Sequence, residues 1–124
     1  MAAKKTILFI EDNPVDRTLL SRLLSKYDFN VILAENGPDG LRMTLEGKID
    51  IILMDILLPG ISGIELCKKI KKNPATQSIP VIFYTSIDTP KHLIDYESYG
   101  AIDYIQKTMP PQDLIASINS ILKD

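Results

Sequence analysis

The sequence predicts an α/β fold in which a parallel sheet is covered by helices on both faces. Five short apolar runs alternate with segments of helical periodicity, and the first and third runs are apolar almost without interruption. The alternation favours parallel strands, because each right-handed crossover between them takes a connecting helix. Nearly continuous apolar runs are typical of strands that are buried on both sides. The five predicted strands are residues 6–10, 31–34, 49–54, 81–84 and 101–105.

Length and composition predict one globular domain, and we expect residues 1–124 to form it. Hydrophobic residues make up 45% and charged residues 24%, which excludes a disordered chain. The net charge of −2 gives no support for direct nucleic-acid binding. We expect no signal peptide and no membrane insertion, because no apolar run approaches the roughly 18 residues of a membrane span. The single cysteine, Cys67, cannot form an internal disulfide, which favours a reducing cytoplasm.

The first two helices are predicted from the residues at their beginnings. Asn13 is a polar cap, and Pro14 stands at the first helical position, where proline is favoured. The second helix is predicted to begin around Asn36, which is also followed closely by a proline. Apolar residues of the first helix recur every four positions or lie beside such positions, which predicts a buried stripe. These residues are Val15, Leu19, Leu20, Leu23, Leu24 and Tyr27.

Three further helices are predicted in the second half of the chain. Ser62 and Glu65 have the spacing of a capping box, which begins the third helix. A fourth helix is predicted from Thr89 to Gly100, with a less regular apolar face. The last helix begins at Pro110 and repeats apolar residues at helical spacing. Its predicted buried positions are Leu114, Ile115, Ile118 and Leu122.

Polar and charged residues follow each of the five predicted strands. Open α/β sheets bind ligands at the carboxyl ends of their strands, so these residues are expected to lie close together. The second strand ends at Glu35 and is expected to lie at the edge of the sheet. The residues that follow the other four strands are Glu11, Asp12, Asp55, Thr85, Ser86 and Lys107.

Three carboxylates at one edge of a sheet predict a divalent cation. Like charges a few ångströms apart repel and raise one another's pKa values, and a bound cation removes that cost. Mg²⁺ prefers one or two protein carboxylates together with waters and a phosphate. A lysine suits an anion rather than a metal, and a threonine hydroxyl supplies a further hydrogen-bond donor. The combination predicts phosphoryl transfer onto an aspartate.

The same residues are arranged as in a known family. Over its whole length the sequence resembles a response-regulator receiver domain of two-component signalling, of the stand-alone type. An acidic pair closes the first strand, and an aspartate closes the third, with proline, glycine, threonine and lysine following at spacings typical of the family. A tyrosine lies where the family has its switch aromatic. The matching positions are Glu11, Asp12, Asp55, Pro59, Gly63, Thr85, Tyr104 and Lys107.

The resemblance implies a fold and the centre of a site. The fold is the flavodoxin-like, doubly wound (βα)5 arrangement, with five parallel strands in the order 2-1-3-4-5. Asp55 is implied to be the phosphoacceptor. Glu11 and Asp12 are implied to hold Mg²⁺, or in its place Mn²⁺, together with Asp55 and the backbone carbonyl of Leu57.

The resemblance also implies a switch and its partners. Thr85, Ser86 and Lys107 are implied to bind the phosphoryl oxygens, and Thr85 and Tyr104 to report the phosphorylation state. The phosphodonor is a histidine kinase or a histidine phosphotransfer protein. A downstream protein binds the face formed by the fourth helix, the fifth strand and the fifth helix. The protein is expected to be a monomer or weak dimer, and not an enzyme that turns over a separate substrate.

The sequence departs from the family pattern at Leu57, Ile87 and Thr108. Lys107 is followed by Thr108 rather than by proline, and we expect a trans bond there, because a cis bond before a non-proline residue costs a few kcal/mol. Leu57 and Ile87 are apolar at positions where the family frequently has polar residues. Apolar side chains cannot orient an attacking water, which predicts slow self-dephosphorylation.

Two alternative functions remain open. The departures at Thr108 and Leu57 motivate a degenerate receiver that binds proteins without being phosphorylated. A metal-dependent phosphatase on the same fold would use Asp55 as its nucleophile, but such enzymes usually carry a second aspartate where this chain has Leu57. A nucleotide-binding protein is disfavoured, because no glycine-rich loop follows the first strand.

Overall fold

The computed structural model describes residues 4–123 and places five parallel strands in one sheet. The strands are β1 (Thr6–Ile10), β2 (Asn30–Ala34), β3 (Ile51–Met54), β4 (Val81–Thr85) and β5 (Asp103–Gln106). The α-helices are α1 (Pro14–Lys26), α2 (Gly37–Glu46), α3 (Gly63–Lys72) and α4 (Pro111–Leu122). The sheet order is β2-β1-β3-β4-β5, which confirms the predicted fold class and strand order. In the described part of the chain, no helix is long and apolar enough to cross a membrane.

The helices form two layers, because successive side chains of each strand point to opposite faces of the sheet. Ile7 and Phe9 of β1 belong to a core that includes buried residues of α1 and α4. Leu8 and Ile10 belong to the core on the other face, which includes buried residues of α3. Cys67 is among them and is fully buried as a small apolar side chain.

The order of the strands determines where the carboxyl ends meet. β1, β3 and β4 are the central strands, and all of their residues except Thr6 and Tyr84 are buried. β2 lies at one edge, as predicted, with Ile32 and Leu33 partly exposed. The residues that follow β1, β3, β4 and β5 therefore lie close together at the carboxyl ends of the strands. β3 begins two residues later than residue 49, and β5 two later than residue 101, the usual uncertainty of predicted ends.

The buried face of α1 differs from the predicted stripe. Leu20 and Leu24 are buried, whereas Val15 and Leu19 are 62% and 60% exposed. The rotation of the helix is set at its first turn, where the Arg17 guanidinium donates to two backbone carbonyls at the end of β1. Because one residue along a helix turns the side chain by about 100°, anchoring Arg17 at the sheet directs Leu20 and Leu24 inward. In α4, similarly, Leu122 is half-buried rather than buried.

The predicted helix between Thr89 and Gly100 is wrong. The structure has one turn of 3₁₀ helix at Lys91–Leu93, and the amides of residues 98–100 donate to carbonyls three residues earlier. The spacing of the apolar residues between Thr89 and Gly100 explains the difference. Several of them are three positions apart, and this spacing suits a 3₁₀ helix, with three residues per turn, better than an α-helix. We call residues 86–102, which connect β4 to β5, the switch segment.

Candidate functional site

Asp55 lies at the centre of the site, directly after β3, and is 3% exposed. Its amide donates to the carbonyl of Ile10 at the end of β1, which fixes the position of the residue beside the first strand. One carboxylate oxygen, Oδ1, accepts from the hydroxyl of Thr85 at 2.7 Å and from the amide of Leu57 at 3.1 Å. The other oxygen, Oδ2, accepts from the ammonium of Lys107 at 3.0 Å. The predicted residues of three strands therefore meet on one carboxylate.

Glu11 and Asp12 join Asp55 in a group of three carboxylates, which we call the acidic cluster. One oxygen from each lies within 4.8 Å of the others. Glu11 is fully buried, whereas Asp12 is exposed, so the cluster is open to solvent on one side. Oxygen ligands in this number, with an open side for water, fit a hard divalent cation such as Mg²⁺. The carbonyl of Leu57 accepts no hydrogen bond from residues 4–123, which leaves it available as a further oxygen ligand.

The ammonium of Lys107 neutralises part of the negative charge of the acidic cluster. The backbone amide of Lys107 donates to the carbonyl of Thr85, and its peptide bond to Thr108 is trans, as predicted. Its ammonium bonds the carboxylates of Glu11 and Asp55 and reaches a third carboxylate, that of Asp16, at 2.8 Å. Burial lowers the pKa of Lys107, but the three carboxylates outweigh burial and hold its pKa above the ordinary value. The lysine is therefore charged. Its ammonium reaches Asp55 although Thr108 stands where the family commonly has a proline.

Asp16 and Arg17 are site residues that the sequence analysis missed. Both lie in the first turn of α1, which begins with the Asn13 side chain accepting from the amides of Val15 and Asp16. Arg17 donates to the carbonyls of Glu11 and Asp12, at 2.9 Å and 2.8 Å, and thereby orients the loop that carries them. The available signal was the predicted start of the first helix, which places Asp16 and Arg17 in the turn that follows the acidic pair.

The start of α3 lies close against the backbone of Asp55 and Ile56. The amide of Gly63, the first residue of α3, donates to the carbonyl of Ile56 at 2.8 Å. A Cβ atom added at Gly63 would lie 2.8 Å from the Cα of Ile56 and would also overlap the carbonyl oxygen of Asp55. The glycine that the family pattern includes is thus explained by sterics, since it lets α3 begin against the backbone of Asp55.

Tyr104 is buried, on the side of β5 that faces the switch segment. Its hydroxyl donates to the carbonyl of Thr89 at 2.8 Å and to that of Ile87 at 3.3 Å, and its ring stacks on Tyr96. The tyrosine thereby connects β5 to the switch segment, which begins directly after Thr85. Ser86 is exposed, and none of the hydrogen bonds within residues 4–123 joins its side chain to Asp55 or Lys107.

The surroundings of Glu11 raise the affinity of its carboxyl group for a proton. Burial is the largest cause, and together with the nearby charge of Asp55 it raises the pKa of Glu11 from 4.5 to about 7, despite the opposing bond from Lys107. Near neutral pH the metal-free protein therefore carries a proton on Glu11 in part of its molecules. A cation that used Glu11 as a ligand would have to displace that proton.

This raised pKa predicts how stability depends on pH in the absence of metal. Between pH 4.5 and about 7, folded Glu11 holds a proton that the unfolded chain has released. The stabilisation from that proton is complete below pH 4.5 and is lost as the pH rises through 7. We expect the free energy of unfolding to fall by about 3 kcal/mol between pH 5 and pH 8, measured by urea titration in EDTA. The Glu11→Gln variant should lack this component, and an equal fall in both proteins would contradict the assignment.

Comparison with known proteins identifies the family. A family model described as the response regulator receiver domain matches residues 7–119. The chain is 34% identical to protein PilH of Pseudomonas aeruginosa over 116 residues, which cover 94% of this chain and 96% of PilH. It spans about half the length of two other curated relatives, 52% in each case.

Solved structures agree with this assignment. A putative response regulator from Chloroflexus aurantiacus is similar with a TM-score of 0.90 and 29% identity, covering 98% of this chain and 99% of that one. The response regulator TrrA of Thermotoga maritima, solved in complex with Mg(2+)-BeF, is similar with a TM-score of 0.85 and 30% identity, covering 95% of this chain and 99% of TrrA. The chain therefore belongs to the response regulator receiver domain family of two-component signalling.

Proposed function

We propose that this protein is a Mg²⁺-dependent phosphoacceptor that takes a phosphoryl group on Asp55. The observation that carries the proposal is the set of contacts on one carboxylate: Asp55 accepts from Thr85 and from Lys107 and belongs to the acidic cluster. Receiver domains are signalling modules and in general do not turn over a separate substrate. The donor in the proposal is a histidine kinase or a histidine phosphotransfer protein, located in the cytoplasm like the receiver itself.

The side chains present account for the transfer. An oxygen of Asp55 forms a bond to phosphorus while the bond between phosphorus and the donor's imidazole nitrogen breaks, and the imidazole takes up a proton. Mg²⁺ held by Glu11, Asp12, Asp55 and the Leu57 carbonyl would neutralise charge on the phosphoryl oxygens. Lys107 supplies a second positive charge beside Asp55, and the hydroxyl of Thr85 supplies a neutral donor. In the proposal, the exposed hydroxyl of Ser86 is a further donor to the same oxygens.

The proposed switch begins with Thr85. Its hydroxyl donates to Asp55 and accepts from the amide of Ile87, at 3.3 Å, in the switch segment. Redirecting this hydroxyl to a phosphoryl oxygen would move the start of that segment, to which Tyr104 is bonded further along. Two new hydrogen bonds to a charged group contribute roughly 3–6 kcal/mol. This compares with about 5.5 kcal/mol for inverting a 1:99 equilibrium.

The surface that would change is the one formed by the switch segment, β5 and α4. Lys91 of the segment pairs with Asp103 of β5, and the hydroxyl of Ser117 on α4 donates to the same aspartate. A shift of the segment therefore alters contacts with both neighbouring elements. We infer that a downstream protein reads the phosphorylation state at this surface.

Intact-mass spectrometry after incubation with acetyl phosphate tests the proposal. We expect one phosphoryl increment that depends on Mg²⁺ and is absent in Asp55→Asn, which keeps the size of the side chain. The alternative of a degenerate receiver predicts no increment and no binding of beryllofluoride with Mg²⁺. A phosphatase would instead release phosphate from a separate ester with many turnovers, which Asp55→Asn would abolish.

The apolar side chain of Leu57 predicts a long lifetime for the proposed phosphorylated state. The side chain is 58% exposed beside Asp55 and carries no group that could orient a water molecule. We expect slow self-dephosphorylation, and a faster decay in Leu57→Asn, in which an amide replaces a side chain of similar size. The decay is followed by phosphate release after the donor is removed. Equal rates in the two proteins would overturn the prediction, and Leu45→Asn serves as a control for an exposed leucine on α2, outside the acidic cluster and the switch segment.

A further inference from the structure

The ammonium of Lys107 has no free proton. A lysine has three N–H donors, and here they meet three carboxylates, those of Glu11, Asp16 and Asp55. Glu11 and Asp55 belong to the acidic cluster, and both are buried. Asp16 lies outside that cluster, and its side chain is 35% exposed. The third carboxylate on Lys107 is therefore not explained by the proposed metal site.

The N-terminal cap of α1 does not use the Asp16 carboxylate either. The side chain of Asn13 accepts from the backbone amide of Asp16 at 3.1 Å, so the cap involves the amide of Asp16 and not its carboxylate. Within residues 4–123, Lys107 is the residue that bonds the Asp16 carboxylate, at 2.8 Å, although α1 and the residue after β5 are far apart in the chain. The contact joins the first turn of α1 to the lysine that faces the phosphoacceptor.

We propose that Asp16 is a positioning residue that restrains Lys107 and sets how strongly the site holds a phosphoryl group on Asp55. The inference rests on the proposed function of Asp55. A phosphoryl group brings three acceptor oxygens and nearly two negative charges. To bond one of these oxygens, Lys107 must release one of its three carboxylates. Asp16 competes for the lysine and places a further negative charge at the mouth of the site.

Removing the charge of Asp16 has opposite effects on anions and cations. With Asp16 neutral, the bond to one N–H of Lys107 is weaker, so that N–H turns more readily to a phosphoryl oxygen. Repulsion of the phosphoryl group also decreases, so anion binding tightens. The lysine then interacts more strongly with Glu11 and Asp55, which are the proposed ligands of Mg²⁺. Cation binding therefore weakens. A residue that merely stabilised the fold would change both affinities in the same direction when removed.

The experiment measures two affinities in three proteins: wild type, Asp16→Asn and Asp113→Asn. Asp113 is an exposed acid in the first turn of α4 and is not among the carboxylates that pair with Lys107, so its replacement removes one charge at a helix N-terminus without breaking a contact of that lysine. Mg²⁺ is titrated alone, and beryllofluoride, an acyl-phosphate mimic, is titrated at saturating Mg²⁺, both by isothermal titration calorimetry. In Asp16→Asn we expect beryllofluoride to bind about three- to tenfold more tightly and Mg²⁺ to bind more weakly. The Asp113→Asn protein should match wild type, and Asp16→Glu should restore much of the wild-type behaviour.

Each remaining result is decisive. Unchanged affinities in Asp16→Asn, or a loss of both, would overturn the inference while leaving the proposed function intact, since wild type would still bind beryllofluoride. Failure of wild type itself to bind beryllofluoride with Mg²⁺ would overturn the proposed function and the inference with it. Urea unfolding of the metal-free variants shows whether Asp16→Asn is folded, and Asp16→Ser repeats the test with a smaller neutral side chain.

Discussion

Replacement of Lys107 by methionine is expected to lower the free energy of unfolding of the metal-free protein by about 3 kcal/mol, because removing one partner of a buried ion pair leaves charge uncompensated. The lysine side chain is 14% exposed and is the cation in contact with the buried carboxylates of Glu11 and Asp55. Methionine keeps most of the length of the side chain without its charge. The loss is measured by urea titration at pH 7.5 in EDTA.

Two further measurements connect this loss to the acidic cluster. Mg²⁺ should recover part of it, since a bound cation compensates the same carboxylates. Lowering the pH to 5.5 should also reduce the loss, because protonation of Glu11, whose pKa is about 7, removes one of the uncompensated charges. The control is Lys72→Met, which removes an exposed lysine from α3. Similar losses in the two variants would show that Lys107 does not compensate buried charge.

Replacement of Gly63 by alanine is expected to destabilise the protein by about 2–3 kcal/mol, within the range for overpacked sites. The added Cβ would meet the backbone of Asp55 and Ile56, and backbone cannot move aside as a flexible side chain can. The better helix propensity of alanine offsets less than 1 kcal/mol of this cost. Because the clash is with the phosphoacceptor's own backbone, binding of beryllofluoride should weaken as well.

Gly60 provides the matched control in the same loop. Its φ of +81° is in the left-handed region, and nothing lies within 4 Å of an added Cβ. Gly60→Ala should therefore cost about 1 kcal/mol through backbone strain alone. Beryllofluoride affinity should be retained in Gly60→Ala. If both variants lost affinity equally, the close approach of Gly63 to Asp55 would not be the cause.

The residues after the strands were predictable because parallel strands present their carboxyl ends at one edge. Asp55, Thr85 and Lys107 are far apart in the chain, yet the assignment of each to a strand end was enough to bring them together. The structure confirms the sheet order, and it brings Glu11 and Asp12 to the same place. The strand assignments depended on apolar runs, which periodicity reports well.

The parts that could not be predicted depend on tertiary contacts. The rotation of α1 follows from the bonds of Arg17 to the end of β1, and an amphipathic pattern with leucines on two adjacent faces contains no information about them. Asp16 reaches Lys107 only because of that rotation. In the switch segment, a capping signal at Thr89 was present, but the hydroxyl of Tyr104 bonds the carbonyl of that residue and holds it outside a helix.

Because no α-helix connects β4 to β5, we expect local unfolding to occur more readily in the switch segment than in the central strands. The switch segment is held by a few side-chain bonds, among them those from Tyr104 and Gln106 to the carbonyl of Ile87. Few of its amides belong to a helical ladder, so their hydrogen exchange should proceed through sub-global openings of low free energy, well below that of the central strands. We therefore expect the segment to open as a separate cooperative unit, which the proposed phosphorylation of Asp55 would reorganise without loosening the rest of the domain.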